Sequence, residues 1–225
     1  MTKDEILEFI KSNYNEKNVQ GMARFGISSL NTYGVPMPKL RFMAKMIRKD
    51  HALALDLWQT GIHEARILAA LIDDPRQVTP GQMEAWVKDF ESWDVCDQTC
   101  SSLFDKTPYA YEKALEWSAR EEEFVKRAGF VLMATLSVHN KKADDEMFIE
   151  FLSIIEREAC DERNFVKKAV NWALRQIGKR NIRLTPQAIR SAEKIQKMDS
   201  KAARWVARDA QRELTNEKIL ARIKD

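Results

Sequence analysis

Glycine and proline are scarce, 7 and 6 among 225 residues, which argues against both a disordered chain and a turn-rich all-β fold. The glycines are never closer than five positions apart, so neither a dinucleotide fingerprint nor a phosphate-binding P-loop can be written. Histidine is scarcer still. His51, His63 and His139 are scattered, and no HExxH or paired CxxC occurs, which removes the common zinc patterns. Three cysteines, an odd number, do not make a disulfide framework. Cys96 and Cys100, four apart, read as small buried hydrophobes rather than half of a metal site. No apolar run reaches the ~18 residues of a membrane helix. The polar, acidic start Met1-Thr2-Lys3-Asp4-Glu5 is unlike a signal peptide. The expectation is a soluble cytoplasmic protein with no metal and no cofactor. If it is an enzyme, carboxylate, aromatic and cationic groups must carry the chemistry.

What is present is helical periodicity nearly throughout. Thr79-Pro80, Thr107-Pro108 and Thr185-Pro186 each precede a helix-like stretch, with Thr as N-cap and Pro at the first helical position. Asp73-Asp74-Pro75 stops the helix before it. The pattern predicts about a dozen helices and no sheet, in a single domain over residues 1–225. Four of these helices look alike, with a basic residue early (Arg66, Arg127, Lys168, Arg204) followed by small and apolar residues. Their separations are 61, 41 and 36. Intervals near 40 suit two-helix repeats of the HEAT or armadillo kind, and 61 would hold one and a half. Basic residues recurring at one position of an inner helix would line a concave face with positive charge.

Charge is divided unevenly along the chain. The total is only +3, but residues 163–225 carry +11 and residues 1–162 carry −8. The C-terminal third therefore reads either as a surface for a polyanion or as a solvated helical face.

Two short stretches stand out. In Ser92-Trp93-Asp94-Val95-Cys96-Asp97, Trp93 and Asp97 share a helix face. Ser92 as N-cap and Asp94 as complement to the helix dipole explain the first turn structurally, but leave Asp97 without a role. Farther on, Lys168, Trp172 and Arg175 stand at i, i+4 and i+7. A tryptophan between two cations could meet a sugar or base flanked by phosphates, or pack beneath snorkelling basic stems.

With Met22-Ala-Arg-Phe25, Tyr33-Gly-Val-Pro-Met-Pro-Lys-Leu-Arg41, Val125-Lys-Arg127 and Phe165 to Arg175, these stretches resemble the DNA alkylation repair family of HEAT-like alkylpurine DNA glycosylases, from near residue 5 to about 215. The resemblance implies an all-α, right-handed solenoid of HEAT-like repeats, C-shaped with a concave basic groove for duplex DNA. It implies a monomer, without metal or cofactor, that hydrolyses the N-glycosidic bond of cationic N3- or N7-alkylated purines while leaving the base in the stack. Asp97 matches the catalytic carboxylate, Trp93 and Trp172 the sugar-contacting tryptophans, and Arg127 the catalytic-cleft arginine. Phe25, Arg41, Lys168, Arg175, Lys179, Arg204 and Arg208 form the expected DNA-binding set. Many relatives have Trp-Trp-Asp at Ser92-Trp93-Asp94, and some have tyrosine at Phe25. Two other functions stay open at this point: a non-catalytic binder of DNA structures on the same fold, and a helical scaffold for an acidic protein partner.

Overall fold

The computed structural model describes residues 1–223. It contains fourteen α-helices and one short 3-10 helix, with no strand among the described residues. The chain forms two compact units, Met1–Thr107 and Pro108 onward, each with its own core.

The first unit holds α1 (Lys3–Ser12), α2 (Glu16–Ala23), α3 (Met37–Ile47), α4 (His51–Trp58), α5 (His63–Ile72), α6 (Pro80–Lys88), α7 (Trp93–Ser102) and the 3-10 helix Phe104–Lys106. At its centre, α5 packs against α3, α4 and α7, and Ala65, Ala69 and Ala70 give its neighbours room to approach. It ends at Ile72 with Asp73 extended, as Asp73-Asp74-Pro75 predicts. Behind it, Trp58 of α4 and Trp86 of α6 stack with centroids 3.9 Å apart and Phe90 and Phe104 beside them. Such aromatic pairs contribute about 0.5–1.5 kcal/mol beyond the area they bury. The buried Trp58 indole donates to Asp89 at 2.8 Å, so its one polar atom is satisfied.

The second unit holds α8 (Ala110–Ser118), α9 (Glu123–His139), α10 (Asp145–Glu158), α11 (Asn164–Gly178), α12 (Leu184–Gln196), α13 (Lys201–Leu214) and α14 (Glu217–Leu220). Here α9 packs on α8 and α11, α11 on α12 and α13, and α12 on α10 and α13. The helix α9 is buried continuously from Arg127 to Ser137. Asn171 of α11 sends its amide to the Val206 carbonyl of α13 at 3.1 Å, which satisfies a buried polar group and registers the two helices.

Two expectations change. Only Thr79 caps its helix as predicted, accepting from the Gln82 N–H. The Thr107 hydroxyl instead donates to the Phe104 carbonyl, and α8 begins only at Ala110. Thr185 lies inside the first turn of α12 and donates to the Gly178 carbonyl. Asn181 supplies the acceptor for that turn, from the Arg183 and Leu184 N–H groups. Pro186 is tolerated there because first-turn N–H groups have no helical partner. The 61-residue interval also holds two repeats rather than one and a half, since α7 stands between α5 and α9. The helices of the first unit are short: α6 and α7 have 9 and 10 residues, against 14 and 15 for α10 and α11.

Gly129 is the closest approach within the second unit. A Cβ there would stand 2.4 Å from the Ser118 backbone nitrogen, and backbone cannot rotate aside as a side chain can. Gly129→Ala is expected to lower the unfolding free energy by about 1–3 kcal/mol, as a decreased urea midpoint.

Candidate functional site

In the first unit, α7 carries Trp93 at its first position and Asp97 one turn later, both half-buried. The Trp93 indole donates to the Phe25 carbonyl at 3.1 Å, across 68 residues of chain. That bond ties α7 to the turn after α2, where the Phe25 ring is exposed. The structure thus brings the Phe25 backbone to the Trp93 indole, with Asp97 one turn farther along the same helix. Arg41 lies exposed on α3.

Phe25 and Trp93 border a cleft of about 570 Å³ whose lining also includes Met22, Met37, His63 and Asp94 but neither Asp97 nor Arg41. Ser92 occupies the N-cap position of α7 but makes no side-chain cap bond, contrary to expectation. Asp94 has a more specific role than the helix dipole. Its Oδ2 lies 2.9 Å from Nε2 of the buried His63. Burial pushes the Asp94 carboxyl up, but the His63 hydrogen bond and charge outweigh that and hold it below the usual value. Next to His63, the buried Glu64 carboxylate accepts the backbone N–H groups of Tyr33, Gly34 and Val35 at 2.6–3.2 Å. Gly34 has φ +71°, and a Cβ there would meet the Asn15 carbonyl at 2.5 Å, which accounts for glycine in Tyr33-Gly-Val-Pro. This part of the matched motif is therefore a structural clasp that sets one wall of the cleft.

Cys96 and Cys100 are fully buried. Burial pushes the Cys100 thiol up, and a Cys96 hydrogen bond and the Asp97 and Asp105 charges add to it, so it is no thiolate nucleophile.

In the second unit, Arg127 and Trp172 stand on the adjacent helices α9 and α11. Arg127 is only 5% exposed and donates to the Phe165 carbonyl at 2.6 Å. Lys168 is exposed and Trp172 half-buried. Of the two cations that flank Trp172 along the helix, Arg175 is engaged within the protein. Its guanidinium pairs with Glu213 and lies 3.7 Å from Asp209, while Lys179 also pairs with Glu213. Burial pushes the Glu213 carboxyl up, but the Lys179 and Arg175 contacts hold it below the ordinary range. A count of charge cannot reveal this internal pairing. Arg204 is likewise engaged, with the Met198 carbonyl and Asp199 at 3.3 Å, whereas Arg208 is exposed. Arg66 stacks over Trp58 and donates to the Asp89 carbonyl. The recurring early basic residues therefore form no uniform positive stripe: Arg66 and Arg127 reach to the backbone of the next repeat.

Sequence reasoning missed three features: the His63–Asp94 pair, the Glu64 clasp, and Trp205, whose ring lies 5.2 Å from the Lys167 ammonium. A signal for the first two exists. His63–Asp94 and Tyr33–Glu64 are both separated by 31 residues, the local repeat length.

Asp94→Asn is expected to cost about 1.5–3 kcal/mol near neutral pH, the range for a hydrogen bond to a charged group, rather than the roughly 0.3–1 kcal/mol of a helix-dipole contact. The folded carboxyl is held below the unfolded value of about 3.9. Its contribution is therefore present above that pH and is lost as the pH falls through the folded value. Urea titrations should show the gap between wild type and variant closing below about pH 4.

The sequence pattern described as "DNA alkylation repair enzyme" matches residues 6–214. No curated protein sequence matches the chain. Among solved structures, one described as "a new family of proteins related to the HEAT-like repeat DNA glycosylases with affinity for branched DNA structures" is 18% identical. The match covers 94% of this chain and 95% of that one, with a TM-score of 0.79. At that identity the likeness is one of fold, and the helix pairs are HEAT-like repeats. The family pattern spans every helix that carries Trp93, Asp97, Arg127 and Trp172, and the chain belongs to the DNA alkylation repair enzyme family.

Proposed function

We propose that this protein is a DNA glycosylase that releases cationic N3- and N7-alkylated purines from duplex DNA. The observation that carries the reading is Asp97, a half-buried carboxylate one helical turn beyond a tryptophan that is fixed by its own hydrogen bond, in a chain of this family. A purine alkylated at N7 or N3 already bears positive charge, so it leaves without a general acid. The barrier that remains is the oxocarbenium-like sugar. A fixed carboxylate stabilises that charge and can orient or deprotonate the attacking water. The π-face of Trp93 adds cation–π attraction that grows as the charge develops, and the family resemblance gives Trp172 a sugar-contacting role as well. Arg127 acts here as a positioning residue, since its bond to Phe165 ties α9 to the helix that carries Trp172.

The second reading, a binder of DNA structures without excision, is favoured by the fold likeness to a family with affinity for branched DNA. Incubation with duplex containing N7-methylguanine separates the two. Free base and abasic sites support the glycosylase; binding without release supports the binder.

Asp97→Asn is expected to slow single-turnover release by roughly 10²–10³-fold, as for removal of one preorganised electrostatic group, with duplex affinity nearly unchanged. Release within twofold of wild type would remove Asp97 from the mechanism. Lys168→Ala, at an exposed cation, should reduce the log–log salt slope of duplex binding by about 0.9. Arg175→Ala should change that slope less, because its charge is already matched by Glu213.

A further inference from the structure

The helix α13 turns one face inward with Ala202, Ala203, Val206, Ala207, Ala210 and Leu214 buried. Its other face carries Lys201, Trp205, Arg208 and Arg212 at i, i+4, i+7 and i+11, a single stripe on a helix. Of the six tryptophans, Trp205 is the most exposed, at 41%. Trp58, Trp86 and Trp117 are buried, and Trp93 and Trp172 are half-buried. Trp205 does not serve the core of the second unit, yet it does not lie loose either. The Lys167 ammonium, from the neighbouring helix α11, stands over its ring at 5.2 Å. Around the indole, Lys201, Arg204, Arg208, Asp209 and Arg212 border an open depression of about 400 Å³. Asp209 is spoken for by Arg212 and Arg175, while Lys201 and Arg208 extend into solvent.

We infer that this face of the second unit takes a single-stranded nucleic-acid segment with one base stacked on Trp205. The chemistry selects the ligand in two steps. Five basic side chains stand about a large indole, and of these Arg204 and Arg212 already face Asp199 and Asp209. Lys167, Lys201 and Arg208, in the region of the chain that carries +11, call for a polyanion. An exposed aromatic face among them adds binding only if the polyanion presents a flat apolar surface. In a duplex the base faces are covered by their neighbours. In a single strand or an overhang they are free, and stacking on an aromatic side chain contributes regardless of base identity. From Lys201 to Arg208 the helix rises about 10 Å, so phosphates on both sides of a stacked base can be met by different cations.

The test is fluorescence anisotropy at moderate salt with two labelled DNAs of one sequence, a blunt duplex and the same duplex with a short oligothymidine overhang. Wild type is expected to bind the overhang form about five- to a hundredfold more tightly, the range expected for one stacked base. Trp205→Ala should abolish that preference and leave blunt-duplex affinity in place, and Trp205→Phe should keep part of it. Because Trp205 is exposed, loss of fold is not expected, and unchanged far-UV circular dichroism checks this. No preference in the wild type, or a preference that survives Trp205→Ala, would overturn the site. Displacement by polyglutamate as effective as by oligothymidine of equal charge would also overturn it, in favour of an acidic protein partner. Excision of N7-methylguanine from blunt duplex, which reads Asp97, should be the same in Trp205→Ala, so the two proposals fail independently.

Discussion

A two-helix repeat has more apolar surface than its own helices can cover, so each pair must lean on the next. Apolar contact alone is non-directional and would let neighbouring pairs slide. Here the register is set by polar bonds that run one repeat along the chain: Trp58 to Asp89, His63 to Asp94, Arg127 to Phe165, Asn171 to Val206. Each involves a buried or half-buried donor that would cost free energy if left unpaired. The penalty for a shifted register therefore exceeds that for a mere loss of packing. These bonds span 31 residues in the first unit and 35–38 in the second, which tracks the longer helices after residue 122.

Asp97 and Trp93 inherit their positions from that ladder. Asp97 stands 31 residues after Arg66 and 30 before Arg127, at the place in its helix where the look-alike helices carry a base. A carboxylate among cations at equivalent positions is an exception to the repeat, and exceptions to local consistency tend to fall at functional sites. Trp93 is held at the start of the same helix by the Phe25 carbonyl. The loop carrying Tyr33 and Gly34 is pinned by Glu64, so the walls of the cleft are set by groups that need not touch a ligand.

Charge shows how composition and arrangement diverge. The +11 of the last third implies a broad basic surface, yet Arg175 and Lys179 share Glu213, and Arg204 is turned toward Met198 and Asp199. What stays available is a smaller set, Lys168, Lys201 and Arg208 among them, and it lies beside Trp172 and Trp205 on two adjacent helices.

The all-helical class was determined by sequence alone, because 3.6-residue periodicity and the scarcity of glycine and proline are local properties that need no knowledge of neighbours. So was the family, since the motifs that carry the resemblance are short and contiguous. Local chemistry also placed the stop at Asp73-Asp74-Pro75 and the cap at Thr79. It misplaced Thr107 and Thr185, where a 3-10 turn and the Asn181 side chain competed for the same backbone groups. Tertiary structure alone decided which charges are spent. Whether Arg175 faces a phosphate or Glu213, and whether Asp94 serves a helix dipole or His63, depends on residues 31 to 38 positions away. An ion pair formed across helices leaves no trace in the spacing along either one.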